Sequence, residues 1–117
     1  MIGASPEAWR PSHGIMRYLQ RAGYRVIPVN PNHAGETLHG EPVVTSLSEA
    51  GPVDLVNVFR RSDALGPVVD DAIKTRAPAI WTQLGIRNEA ATDRARAAGL
   101  AVVADRCISV EHSRLLG

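Results

Sequence analysis

The first residues that could do chemistry lie near the start of the chain. Gly3 would let the backbone approach a phosphate closely, because glycine has no Cβ. Ser12 is placed to cap the helix that follows, and the N–H groups at the start of a helix bind anions. We therefore predict an anion site in this loop, with the candidate residues Gly3, Ala4, Ser5, Arg10, Ser12 and His13. A serine-capped surface loop without a ligand is the alternative, since the three-glycine pattern of dinucleotide-binding proteins is absent.

Two later loops carry groups that would suit a nucleotide. Asn30 and Pro31 stand at the end of an apolar run, where NAD-binding sheets place an acidic residue that accepts from the ribose. The missing carboxylate argues against a nicotinamide cofactor. Arg60 and Arg61 end a later apolar run and precede a helix, so they could hold phosphate oxygens. Pairing of these two arginines with nearby aspartates is the alternative.

A fourth loop adds groups for an uncharged ligand. The side chain of Gln83 could bind an amide or a carbonyl, and Gly85 permits a tight turn beside it. Together the four loops predict a site for phosphates and amides rather than a site for acid–base chemistry.

The chain contains no pattern typical of a catalytic or metal centre. Its histidines lack metal-binding partners at helical spacing, and the adjacent pair Glu111-His112 would not share a helix face. The single cysteine, Cys107, follows Arg106, whose charge would lower the pKa of the thiol. A buried structural cysteine is the alternative. We therefore expect no catalytic residue and no metal ligand.

Apolar runs of strand length alternate with helical patterns along the whole chain. This alternation predicts an α/β fold: a Rossmann-like doubly wound parallel sheet with strand order 3-2-1-4-5-6, in one domain over residues 1–117. Helices are predicted over residues 13–22, 63–76, 88–98 and 109–116, and strands over residues 24–29, 53–59, 79–82 and 100–104, with a short edge strand at 41–44. Because ligands of such sheets bind at the carboxyl ends of the strands, the four polar loops should meet at one edge.

The first strand is the exception in this pattern. Only Met1 and Ile2 precede Gly3, so we expect a truncated central strand. Neighbouring strands would then keep unpaired hydrogen-bonding groups beside it, which would lower the stability of the domain.

The composition excludes several classes of protein. With 13 basic and 12 acidic side chains, the charge balance does not favour a partner such as nucleic acid or a membrane surface. One cysteine cannot form an internal disulfide, and no apolar run approaches the ~18–20 residues of a membrane-spanning helix. We expect a cytoplasmic domain.

Several short motifs together resemble the small bacterial CoA-binding proteins, which are similar to the N-terminal CoA-binding domain of the succinyl-CoA synthetase α subunit. The motifs are Gly3-Ala4-Ser5, Arg10-Pro11-Ser12-His13-Gly14, Tyr18-Leu19, residues 23–31, Val58-Phe59-Arg60-Arg61, Trp81-Thr82-Gln83-Leu84-Gly85 and Asp105-Arg106-Cys107-Ile108 with Glu111-His112. They run through essentially the whole chain. The resemblance implies a Rossmann-like fold that binds coenzyme A in an extended pose over the carboxyl edge of the sheet.

The resemblance also implies a role for each candidate residue. By position, the pyrophosphate would contact Gly3, Ala4, Ser5, Ser12 and His13, and the adenosine would contact Asn30 and Pro31. Arg60 and Arg61 would bind a phosphate, and Gln83 and Gly85 would line the path of the pantetheine arm. The 3′-phosphate that distinguishes CoA is the candidate for the arginines.

We therefore expect non-catalytic binding of CoA or an acyl-CoA. One alternative is a subunit or accessory domain of an enzyme that uses a CoA thioester, with the chemistry on a partner chain. A homodimer is a further possible assembly. A third hypothesis is a redox-responsive protein in which Cys107 forms a mixed disulfide with CoA.

Overall fold

The computed structural model describes residues 1–116, which form an α/β domain with a parallel sheet. The helices are α1 (Pro11–Arg21), α2 (Leu47–Ala50), α3 (Leu65–Lys74), α4 (Glu89–Ala97) and α5 (Ile108–Leu115), and 3-10 turns cover Pro31–His33 and Ser62–Ala64. The strands are β1 (Thr37–Leu38), β2 (Glu41–Pro42), β3 (Val56–Val58), β4 (Ala79–Thr82) and β5 (Ala101–Val103). The α/β class and the single-domain Rossmann-like arrangement are therefore as predicted.

The strand order of the sheet follows from its ladders and bridges. β3, β4 and β5 pair in parallel in that order. Single parallel bridges extend the sheet from Val58 to Ile2, from Ile2 to Val29 and from Val29 to Val44. Read across the sheet, the chain segments follow the predicted order 3-2-1-4-5-6, and the segment around Ile2 lies in the centre.

The predicted strand over residues 24–29 is wrong in its extent. Only its end takes part in the sheet: Val29 donates to Met1 O at 2.9 Å and accepts from Gly3 N at 2.8 Å. The central segment offers ladder partners only from Met1 to Gly3, so residues before Ile27 have no strand beside them there. The amino group of Met1 donates to Ile27 O at 2.9 Å, and burial lowers the pKa of this amine to about 5.

The edge of the sheet also differs from the prediction. Residues 41–44 were predicted as one short strand, but β2 pairs antiparallel with β1 as a small hairpin. Val44 alone bridges to Val29 in the main sheet. The turn of the hairpin explains this, because His39 and Gly40 both take positive φ angles, of 48° and 82°, and reverse the chain before β2.

Helices cover both faces of the sheet, as continuous apolar strands require. On one face α3 and α4 contribute Leu65, Val69 and Ala95 to a cluster with Val56 and Ile80. On the other face the buried residues Met16 and Leu19 of α1 and Ile108 of α5 pack with Met1, Ala4 and Val26. Val56 and Val58 of β3 both belong to the first cluster, whereas the buried Asn57 between them binds Gln83.

Candidate functional site

Gly3 brings the first loop into close contact with the loop after β3. Its φ angle is +82°, a conformation that residues with a Cβ rarely adopt. A Cβ at this position would lie 3.1 Å from both the carbonyl oxygen of Phe59 and Cδ of Arg60. Glycine is therefore required here both by backbone conformation and by space, and the first loop lies directly against Arg60.

Ser12 holds the first loop in place instead of capping the helix. α1 begins at Pro11, whose missing N–H is no loss at the first helical position, and its N-cap residue Arg10 makes no side-chain cap. The predicted N-cap role of Ser12 is therefore wrong. The buried Ser12 hydroxyl accepts a hydrogen bond from the backbone N–H of Ser5 at 3.1 Å. Ser5 and the start of α1 are thereby joined across the loop.

Asn30 joins the second loop to the first. Its Nδ2 donates to the carbonyl oxygen of Ala4 at 2.8 Å, and its Oδ1 accepts from Asn32 N at 3.0 Å. Pro31 is exposed and opens the 3-10 turn that follows. A carboxylate at position 30 could not donate to Ala4 O, so the amide suits this position for a structural reason as well.

The two arginines after β3 differ in their surroundings. Within residues 1–116, the exposed Arg60 has no hydrogen bond or ion pair from its guanidinium. Arg61 pairs with Asp63 at 3.0 Å, which is the alternative that the sequence left open. Arg60 therefore has all its donors available beside Gly3, whereas Arg61 would have to share its charge with a carboxylate.

Arg10 and His13 lie around the start of α1 and already have protein partners. The Arg10 guanidinium lies 4.3 Å from the centre of the Trp9 ring and 3.8 Å from the Glu7 carboxylate. The ring of His13 lies 4.2 Å from the ring of His39. Their roles toward a ligand stay predictions.

Gln83 is buried, and both ends of its side chain bind the protein. Its Nε2 donates to Asn57 Oδ1 at 2.5 Å, and its Oε1 accepts from the backbone N–H of Ile108 at 3.3 Å. The side chain thereby connects β3 to the first residue of α5. A role for Gln83 toward a ligand stays a prediction. Nδ2 of Asn57 is buried and has no hydrogen-bond partner within the described part of the chain.

The loop after β4 is fixed by Thr82 and Asp105, which are not among the predicted site residues. The buried Thr82 hydroxyl donates to Ile86 O at 2.8 Å and accepts from Asp105 N at 2.9 Å. Oδ1 of Asp105 in turn accepts from Gly85 N at 2.5 Å. We call Thr82 and Asp105 the clamp, because together they fasten the loop after β5 to the loop after β4.

The turn at Asp105 is the part of the clamp that the sequence could have indicated. Its φ angle is +60°, which is uncommon outside glycine but less costly for Asp and Asn than for other residues. An aspartate directly after a short apolar strand is consistent with such a turn. The link is side chain to backbone over 20 residues, so no local pattern in the sequence reveals its partner.

Ser62 links the loops after β3 and β4. Its hydroxyl accepts from Arg87 N at 2.9 Å and donates to Gly85 O at 3.4 Å. The polar loops predicted to meet at one edge of the sheet are therefore joined by hydrogen bonds: the first to the second through Asn30, and the third to the fourth through Ser62.

Cys107 is half-buried and precedes α5. Burial raises the pKa of its thiol, but hydrogen bonds from the Ser109 hydroxyl and from the backbone N–H groups of Val110 and Ser109 outweigh burial and the Glu111 charge. The net result is a pKa below the ordinary value. Sγ lies 3.2 Å from the Ser109 hydroxyl oxygen.

Two cavities lie outside the set of predicted site residues. One, of about 640 Å³, is bounded by the loops after β4 and β5, by α4 and by the first turn of α5. The other, of about 490 Å³, lies beside Met1, Val26 and Leu115. Within residues 1–116 no group of three or more His, Cys, Asp or Glu side chains could hold a metal ion. None of the described helices is long and apolar enough to cross a membrane.

The fold and the edge described above define a Rossmann-like α/β domain with polar loops gathered at the carboxyl ends of its strands. The chain belongs to the CoA binding domain family, whose model matches residues 1–113. This confirms the family that the sequence motifs indicated.

Individual relatives agree with this assignment. The uncharacterized protein YneT of Bacillus subtilis is 43% identical over 114 residues, a match that covers 97% of this chain and 83% of YneT. The solved structure of ID.343 from Thermus thermophilus is 44% identical, with a TM-score of 0.94 over 98% of this chain and 87% of that one. A hypothetical protein from Pyrococcus horikoshii is 37% identical, with a TM-score of 0.93 over 99% of this chain and 81% of its own.

Proposed function

We propose that this domain binds coenzyme A, or an acyl thioester of CoA, across the carboxyl edge of its sheet. The family supports CoA as the ligand class. The observation that carries the proposal at this edge is the exposed Arg60, whose Cδ lies against Gly3 and whose guanidinium has no hydrogen bond or ion pair within residues 1–116. This arrangement suits a ligand with more than one phosphate group, because the backbone at Gly3 can approach one phosphate closely and the guanidinium fork beside it can bind another.

In this proposal the two halves of the ligand meet different loops. The pyrophosphate lies at Gly3, Ala4 and Ser5, and the adenosine lies beside Asn30 and Pro31. Arg60 reads the 3′-phosphate that CoA carries and NAD lacks, and the pantetheine arm crosses Gly85. The absence of a carboxylate at Asn30 agrees with a ligand whose ribose is phosphorylated, because an acidic residue there would repel that phosphate.

We place the protein in the cytoplasm, where CoA thioesters are made and used and where a free thiol such as Cys107 stays reduced. The role proposed for the domain is binding, and no catalytic step is assigned to it.

The experiment is a calorimetric titration of the protein with CoA, dephospho-CoA and NAD. The proposal predicts that CoA binds best, that dephospho-CoA binds more weakly because Arg60 loses its phosphate, and that NAD binds weakest. Binding of NAD as tight as that of CoA would reject the proposal. Binding of dephospho-CoA as tight as that of CoA would keep the CoA class but reject the role of Arg60.

A further inference from the structure

The cavity beside the clamp continues the edge of the sheet on which the proposed ligand lies. It has a volume of about 640 Å³, and its wall includes Leu84, Ala104, Cys107 and Val110. Leu84 stands between Gln83 and Gly85 in the chain, so the opening of the cavity begins where the fourth loop ends. A ligand that crosses Gly85 in the direction of β5 arrives at this cavity.

The charges around the cavity exclude a phosphate as its occupant. Its three arginines, Arg87, Arg96 and Arg106, each pair with a carboxylate, at 3.5 Å from Glu89, 3.4 Å from Asp93 and 3.2 Å from Glu111 respectively. Asp105 adds a fourth carboxylate to the lining. With four carboxylates against three guanidinium groups, each already paired, the lining disfavours an anionic occupant.

Two large apolar side chains at the cavity are left exposed by the fold. Leu84 is 73% exposed and Val110 is 60% exposed, and both line the cavity. One lies on the loop after β4 and the other on α5, so they face the cavity from separate elements. An apolar group placed between them would remove both from water, which favours binding.

The distance along the sheet edge matches the length of a pantetheine arm. Three strand spacings separate the central segment at Gly3 from β5, which is roughly 14 Å. The arm has thirteen bonds from phosphorus to sulfur and extends to roughly 16 Å. With its phosphates at Gly3 and Arg60, the ligand therefore carries its sulfur end to the cavity.

We propose that the cavity between α4 and α5 receives the sulfur end of CoA together with a short, uncharged acyl chain, so that the ligand of the domain is an acyl-CoA. This inference rests on the CoA site proposed above. It names the ligand class more narrowly than CoA alone: we expect thioesters of short apolar acids in preference to thioesters of dicarboxylic acids.

The test compares ligands that differ only at the sulfur end. Adenosine 3′,5′-diphosphate, CoA, butyryl-CoA and succinyl-CoA are titrated against the unsubstituted protein. We expect butyryl-CoA to bind about tenfold tighter than CoA, from partial burial of its methylene and methyl groups. Succinyl-CoA should bind no tighter than CoA, because its terminal carboxylate would meet the carboxylates of the lining.

Two variants then locate the preference. Val110→Arg blocks the cavity from an exposed helix position, and we expect it to abolish the tenfold preference for butyryl-CoA while adenosine 3′,5′-diphosphate binds as before. Leu115→Arg makes the same change on the same helix at a residue that is also exposed and does not line this cavity, so the preference should remain. If Val110→Arg lowers the melting temperature, Leu84→Arg on the loop gives the same test.

The outcomes separate this inference from the proposed function. Tight binding of CoA without a preference for butyryl-CoA overturns the cavity assignment and leaves the CoA site intact. A preference that survives both Val110→Arg and Leu84→Arg also overturns it. If the unsubstituted protein binds none of the four compounds, the proposed function fails and this inference fails with it.

Discussion

The two halves of the loop edge are built in contrasting ways. The half formed by the loops after Ile2, Val29 and β3 presents polar groups to solvent, above all Arg60, whose guanidinium has no partner in the part of the chain that the structure describes. In the half formed by the loops after β4 and β5, buried polar groups bind one another through the clamp and through Gln83. Charge recognition and loop positioning are thus concentrated in different halves of one sheet edge, and the Ser62 hydroxyl joins the two halves through Arg87 N and Gly85 O.

The two halves also differ in the reason why particular residue types are required. Gly3 is required because the loop approaches another backbone, whereas Thr82 and Asp105 are required because they satisfy backbone groups that would otherwise be buried without partners. Substitutions in the first half should therefore change affinity, and substitutions in the second half should change stability or the position of the fourth loop.

The largest effect is expected from Thr82→Val, which tests the clamp. The change keeps the shape of the side chain but leaves Ile86 O and Asp105 N without their partner, at a cost of about 2–4 kcal/mol in the free energy of unfolding. Thr92→Val is the matched control. The Thr92 hydroxyl is also buried but donates only to carbonyl groups of its own helix, so the loss should be below about 1 kcal/mol. Urea denaturation of both variants measures the difference, and equal losses would contradict the role of the clamp.

The next effect concerns the other half of the edge. Arg60→Ala should weaken CoA binding by about 10- to 100-fold, the value of a charge-assisted hydrogen bond to phosphate, and should weaken dephospho-CoA much less. Arg61→Ala is the control, because Arg61 already pairs with Asp63. Calorimetry of both variants with both ligands decides the assignment. An equal loss for the two ligands would show that Arg60 does not read the 3′-phosphate.

A smaller effect is expected from Asp105, which holds the fourth loop in place where the pantetheine arm is proposed to cross it. Asp105→Gly keeps the left-handed backbone but removes the acceptor for Gly85 N. We expect a loss of about three- to tenfold in affinity for CoA, since the loop becomes mobile, and no change for adenosine 3′,5′-diphosphate. Asp105→Asn retains an acceptor oxygen and tolerates the same φ, so this variant should bind CoA as tightly as the unsubstituted protein. If Asp105→Asn loses as much affinity as Asp105→Gly, the charge of Asp105 matters instead of its hydrogen bond.

The smallest effect concerns the thiol beside the cavity. Because the Ser109 hydroxyl helps to lower the pKa of Cys107, Ser109→Ala should raise that pKa and move the rise in alkylation rate to higher pH. Cys107 is the only cysteine, so the rate of reaction with iodoacetamide reports on it alone. Ser113→Ala, an exposed position on the same helix, should leave the profile unchanged. A profile unaltered by Ser109→Ala would assign the shift to the backbone N–H groups.

The sequence predicted the parts of the fold that depend on short-range patterns. The apolar run at Ala79–Thr82 forms a strand as predicted, and the helix predicted from residue 88 begins at Glu89, with Asn88 accepting from Ala91 N at its start. The alternation of strands and helices also predicted the strand order. The extent of the strand before Val29 was predicted wrongly, because pairing there depends on what the central segment offers and not on the β propensity of residues 24–28.

The site was less predictable for a related reason. The roles of Gly3 and Arg60 could be predicted from their residue types. Their contact follows because they come at the ends of neighbouring strands in the predicted sheet. Ser12, Ser62 and Asp105 act through partners 7, 25 and 20 residues away, and no spacing rule names those partners. The sequence pattern therefore predicts polar loop residues as ligand-binding groups, although several of them bind the protein itself.

The most direct test of the whole account is a crystal structure of the protein with butyryl-CoA. We expect the 3′-phosphate within hydrogen-bond distance of the Arg60 guanidinium, the pyrophosphate at Gly3, and the acyl chain between Leu84 and Val110. A ligand whose phosphates lie at the clamp, or whose adenosine lies away from Asn30 and Pro31, would contradict it.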